Sequence, residues 1–160
     1  MILRRRGLAP DYVPPVSVIF AADKKRYMGG LTWYRENHLS GWIERFAVAA
    51  ARAAGLASSY LEAVESLQST WRDQLRDTVN PRADAAAWIL VDMLPAHPIL
   101  TLPVAVAATG RTKPAVNQAI NQLESAEILL PLSTSRRNRS WEAGGLLDLL
   151  ARLEIGEAPN

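Results

Sequence analysis

The sequence predicts a mainly α-helical chain: a helical N-terminal part containing a helical hairpin, then a winged helix-turn-helix domain with a small β-hairpin wing. Three observations carry this. Val116, Ala119, Ile120 and Leu123 recur at i, i+3, i+4 and i+7, the spacing of one buried helical face. Gly110 lies just ahead, between that helix and a shorter apolar one, as a residue free to take positive φ in a tight turn. Behind the helix, residues 128–132 read as an apolar strand, 133–139 as a turn holding Arg136, Arg137 and Arg139, and 140–142 as a short return strand.

From the N-terminus, residues 1–17 contain Pro10, Pro14 and Pro15 with Gly7, so an extended linker is expected there. Residues 22–36 read as a helix through Tyr27, Leu31 and Tyr34. Gly29 and Gly30 weaken it by about 1 kcal/mol each relative to alanine, or else admit a close neighbouring helix. Ser40 caps a stronger helix with Trp42, Ile43, Phe46, Ala49, Ala50 and Ala53 on one side, and Gly55 is the expected stop. A third helix over 57–77 aligns Tyr60, Leu61, Val64, Leu67, Trp71 and Leu75. At 1.5 Å per residue it would be about 30 Å long, packing back on 40–54 as a hairpin or forming the seam of a homodimer through residues 40–77.

Asn80 and Pro81 interrupt it. Residues 83–94 then predict the first helix of the winged domain, with Ala86, Ile89, Leu90 and Met93 buried and Pro95 closing it. Thr101 is the expected cap of the short helix carrying Leu102, Val104, Ala105 and Ala108. Thr112 is the expected cap of the next, whose first turn tolerates Pro114. Leu146, Leu147, Leu149, Leu150 and Leu153 make a closing amphipathic helix. The predicted division is therefore a linker over 1–17, a helical region over 18–80, the winged domain over 81–155 and a frayed tail over 156–160.

Composition narrows the function. At 160 residues and 49% hydrophobic content, the chain can bury a real core. Its net charge of +2 creates no strong global field, but residues 111–139 hold five basic against two acidic side chains. Arg4, Arg5 and Arg6 form a second basic cluster. Zero cysteines exclude disulfides and thiolate metal sites. No apolar run approaches the roughly 20 residues of a membrane span, and the opening Met-Ile-Leu-Arg-Arg-Arg lacks the apolar core of a secretion signal. A cytoplasmic protein with no membrane contact, no metal and no cofactor is expected.

The face opposite Val116 and Ile120 is polar, with Lys113, Asn117, Gln118, Asn121 and Gln122. Asn and Gln amides carry a donor and an acceptor and can pair bidentately with adenine in the major groove, so Asn117, Gln118 and Asn121 are candidate base readers. Arg111, Thr112 and Lys113 at the helix start are candidate DNA contacts, and Arg136, Arg137 and Arg139 in the wing are candidate phosphate contacts. The plainer reading makes the same amides and arginines solvated surface. Double-stranded DNA is the first partner this implies; a protein partner is the second, since winged helices also dock proteins.

The segment RRRGLAPDYVPPVSVIFAADKKRYMGGLTWYR, the SGWIERFAVAAARAA helix, the long helix after it and the winged segment with RRNRSW together resemble the region following the catalytic core in bacterial Fic proteins, named for filamentation induced by cAMP. The resemblance rests on the order of segments. It implies a regulatory C-terminal module belonging with an AMP-transferase, or an arm that positions targets or subunits for AMPylation. Fic enzymes use a loop HxFx(D/E)GNGR in which His is the general base and the Gly-Asn-Gly stretch cradles phosphate. This chain has no such loop: its two histidines lie in ENHLSG and AHPILT. A base without an anion cradle would not support that chemistry. GxxxxGK[ST], HExxH and GxSxG are absent too, and Glu62 and Glu65 sit where a solvated helix face would place them. The chain by itself is expected to be non-catalytic.

Overall fold

A computed structural model describes Arg5, Gly7 and residues 15–132 and 139–159. Among these residues lie α1 (Val16–Ala22), α2 (Lys24–Arg35), α3 (Leu39–Thr78), α4 (Ala86–Met93), a 3-10 turn (Leu94–Ala96), β1 (Ile99–Thr101), α5 (Leu102–Thr109), α6 (Lys113–Ser125), β2 (Leu129–Pro131), β3 (Ser140–Ala143) and α7 (Leu146–Ile155). The fold is mainly helical with one small antiparallel sheet, as the sequence predicts. Two compact units divide the chain, Met1–Glu62 with Ala151–Asn160 and Ala63–Leu150, so α3 and α7 each contribute residues to both.

In the first unit, helix begins at Val16 rather than after residue 17, with Pro15 at the N-cap position, where its missing N–H leaves no helical bond unmade. Of the remaining predicted linker, residues 1–4, 6 and 8–14 lie outside the described residues. Asp23 starts α2 by accepting the Arg26 N–H at 2.9 Å. At the other end Asn37 takes φ +64°, and the His38 and Asn37 amides donate to the Trp33 and Tyr34 carbonyls at 2.8 and 3.2 Å. This left-handed cap satisfies the end of α2 and reverses the chain into α3.

The glycines of α2 do admit a close helix. A Cβ on Gly30 would stand 2.8 Å from the Trp42 ring of α3, and one on Gly41 of α3 would stand 2.7 Å from the Trp33 ring of α2. Each tryptophan thus lies across the other helix's glycine, where a methyl group would collide with a rigid ring. Phe20, Tyr27, Trp42 and Phe46 form the aromatic cluster beside this crossing, with ring centroids 4.9–6.4 Å apart. The first two residues of the predicted tail are tied down: the Gly156 and Glu157 amides donate to Leu153 and Arg152, and Gly156, at φ +77°, lies against Val18 and Ala22.

The predicted hairpin between 40–54 and 57–77 does not form. α3 runs unbroken for 40 residues through Gly55. Gly55 does not take the positive φ of a helix stop, and the alanines around it are the strongest helix formers. The hairpin of this unit is instead α2 turning into α3. The apolar positions of α3 also part company. Ala49, Ala53, Val64, Trp71 and Leu75 are buried, whereas Ile43 is 65% and Leu61 51% exposed.

The second unit is built as a winged helix. α4 is shorter than expected and turned by one residue, burying Ala87 and Val91 with Ala86 and Leu90 while Ile89 and Met93 stay half-buried. Pro95 falls inside the 3-10 turn that follows. The sheet has the order β1-β3-β2, with Leu100 opposite Trp141 and Leu129 opposite Ala143. β1 is the strand the sequence did not predict; it occupies the approach to α5 and pairs with the far side of the wing's return strand. Pro131 is tolerated because β2 is an edge. The Trp71 indole N–H donates to the Gly144 carbonyl at 3.2 Å, fastening α3 to the end of β3. Gln68 donates to the Val91 and Asp92 carbonyls at 3.3 and 3.1 Å, closing the end of α4.

An added Cβ at Gly55 meets nothing within 4 Å. Gly55→Ala is therefore expected to raise unfolding stability by about 0.5–1 kcal/mol, through lower unfolded-state entropy at a helical position. Urea denaturation checks this; a destabilised variant would mean that the helix is broken there in solution.

Candidate nucleic-acid interface

Within the winged unit, α5, a three-residue turn and α6 make the helix-turn-helix. Gly110 takes the left-handed conformation, φ 63° and ψ 13°, and its N–H donates to Val106, as a helix end of this kind requires. Thr101 and Thr112 occupy the two N-cap positions, but neither side chain makes a capping hydrogen bond. Each helix instead begins with a proline in its first turn, which removes one of the amides a cap would have to satisfy.

α6 has the two faces read from its sequence. Val116, Ala119, Ile120 and Leu123 are buried to 2% exposure or less. Lys113, Asn117, Gln118 and Asn121 are exposed, and among the described residues their side chains have no hydrogen bond or ion pair. Arg111 lies at the start of this row but is partly occupied, its Nη2 donating to the Asp84 carbonyl at 3.3 Å. Thr112 beside it is exposed.

The wing is held by a carboxylate that the sequence reading counted only as an acidic residue. Glu124 Oε1, near the end of α6, accepts from Trp141 Nε1 at 2.8 Å and from Arg139 Nη2 at 2.8 Å. The Arg139 guanidinium in turn lies 4.8 Å over the Trp141 ring. Trp141 is 2% exposed on the central strand, so its indole N–H needs a protein acceptor, and Glu124 is the one supplied. The signal for this pair is chemical rather than periodic: a tryptophan on a strand facing a helix that carries an acid. Arg139, one of the three wing arginines, is consequently engaged within the fold. Arg136 and Arg137 lie outside the described residues.

α6 ends by a similar device. Glu127 takes φ +56°, its amide donates to Glu124, and the Ile128 amide donates to Leu123, turning the chain into β2. His38 and His97 both lie in connections, His97 between Pro95 and Pro98 at the end of the 3-10 turn. Among the described residues no three of His, Asp and Glu gather closely enough to hold a metal ion. Nor is any described helix long and apolar enough to cross a membrane. No protein-family model matches the chain, and no curated protein matches its sequence.

Replacing Glu124 by alanine leaves the Trp141 indole N–H buried without an acceptor. A loss of about 1–3 kcal/mol in unfolding stability is expected, measured by urea denaturation. Arg139→Ala, which removes an exposed partner only, is expected to cost less than about 1 kcal/mol. Equal losses would show that the ion pair, not the indole bond, secures the wing.

Proposed function

We propose that this chain is a winged-helix DNA-binding module, the regulatory C-terminal part of a Fic-type cytoplasmic protein and non-catalytic by itself. The observation that supports it best is α6: its apolar face is fully consumed by the core, while Lys113, Asn117, Gln118 and Asn121 form an exposed row whose side chains have no partner among the described residues. In this reading α6 enters the major groove, Asn117, Gln118 and Asn121 meet base edges, and Lys113 with Arg111 and Thr112 meets phosphate at the helix start. Arg136 and Arg137 extend the phosphate contact from the wing, and Arg139 chiefly stiffens it. The Fic placement rests on the order of segments described above, and homodimerisation through residues 40–77 would double the DNA half-site.

A specific observation favours a second reading. Glu124 neutralises Arg139, which removes a cation from the surface that DNA would approach, on a chain whose net charge is only +2. The polar row would then meet protein, and the module would position targets or subunits for an AMP-transferase domain.

Titration of fluorescent duplex DNA at two salt concentrations tests the two. Under the DNA reading, log affinity falls with log salt at a slope near −0.9 per phosphate contacted, and Arg136→Ala with Arg137→Ala lowers that slope by about two contacts. Asn117→Ala with Asn121→Ala is expected to weaken a selected site by about 1–3 kcal/mol per lost base contact while leaving non-specific binding in place. Absence of binding at low salt would overturn the DNA reading and leave the protein-docking one.

A further inference from the structure

Going beyond the DNA reading, and confined to the first unit, we propose that the cavity between α1–α2 and the start of α3 binds a small planar aromatic anion. The cavity measures about 240 Å³, room for a two-ring molecule with one substituent. Phe20, Tyr27, Trp33 and Trp42 supply its aromatic walls.

The walls are fixed before any ligand arrives. Trp42 lies across Gly30 and Trp33 across Gly41, each too close for even a methyl group. Arg45 is held twice, its Nη1 donating to the Arg26 carbonyl at 2.9 Å and its guanidinium carbon lying 3.8 Å over the Trp33 ring. That contact covers one face of Trp33, yet the residue remains 39% exposed, and Val48 on the same cavity is 48% exposed. Large apolar surface held rigidly and left uncovered is what a planar ligand gains by covering.

The sign of the ligand follows from the rim. Arg26, Arg45 and Arg52 stand against Asp23 and Glu44. Asp23 is already committed in part, accepting the Arg26 amide that begins α2. Among the described residues neither the Arg26 nor the Arg52 guanidinium has an ion pair or hydrogen bond, so two forked donors remain for a carboxylate or sulfonate. Glu44, which has no ion pair among the described residues, sets against a second negative charge and accepts from a donor substituent such as a hydroxyl. The class defined is a fused- or single-ring monoanion.

Three probes with one ring system separate the contributions: 2-naphthoate, 2-naphthalenemethanol and 2-naphthylmethylammonium, titrated by calorimetry and by the indole N–H resonances of Trp33 and Trp42. The anion is expected to bind about tenfold tighter than the alcohol, and the cation weakest. Arg26→Gln with Arg52→Gln should bring anion and alcohol within about twofold of each other. Trp33→Ala should weaken all three, and because Trp33 is partly exposed the variant keeps its fold, checked by circular dichroism. An anion that binds no tighter than the alcohol, no binding of any probe, or binding indifferent to Trp33→Ala would each overturn the proposal.

Discussion

The wing of this protein depends on one hydrogen bond. Trp141 lies on β3, the central strand of the sheet, and at 2% exposure it cannot satisfy its indole N–H from water. The acceptor is Glu124, and Glu124 belongs to α6. One carboxylate therefore joins the helix that presents the polar row to the strand that returns from the wing. Its second partner, Arg139, covers the indole ring and leaves the carboxylate only partly solvated. The helix and the return strand are in this way tied together by a bond between residues 17 apart in the sequence.

What was legible in the sequence was legible for local reasons. The face of α6 is read directly from Val116, Ala119, Ile120 and Leu123 because nothing outside the helix is needed to interpret a 3.6-residue period. Gly110 is read as a left-handed turn because few other residues sit there without strain. Gly55 misleads for the opposite reason. A glycine stops a helix only when the chain has somewhere to turn, and here the helix continues to be the better use of the surrounding alanines. At residue 37 and again at residue 127 the helix ends are made by Asn and Glu in the left-handed region, so the true stops carry weaker residue signals than the false one. β1 escapes for want of length, since three residues have no periodicity to measure.

The candidate site divides along the same line. The exposed row of Lys113, Asn117, Gln118 and Asn121 follows from the period of α6. The state of Arg139 does not follow from any local pattern. Three arginines within four residues read as a single cationic patch, but the partner of Arg139 is 15 residues away on another element. Charge counted along the sequence thus overstates the charge offered to a partner. Of the five basic residues between 111 and 139, Arg139 is paired and Arg111 is partly drawn to a carbonyl. The proposed DNA contact consequently leans on α6 more than on the wing, and a protein opposite the same row would meet amides rather than a block of charge.

The first unit shows how a weak helix becomes a rigid surface. Two adjacent glycines should make α2 a poor helix, and the cost of about 1 kcal/mol apiece is real. Yet only glycine at residue 30 lets Trp42 approach the backbone, and only glycine at residue 41 lets Trp33 return the contact. Packing of the Trp42 ring, and of one side of the Trp33 ring, against backbone offsets the propensity lost, since an aromatic side chain covers far more apolar area than a methyl group would. The same interlock decides where the rings point. It turns Trp33 so that Arg45 stacks on it, and it sets Trp42 among Phe20, Tyr27 and Phe46. A residue choice that weakens local structure is thereby what fixes the walls of the cavity, and the rigidity that lets a ligand bind without ordering the walls first comes from the glycines rather than in spite of them.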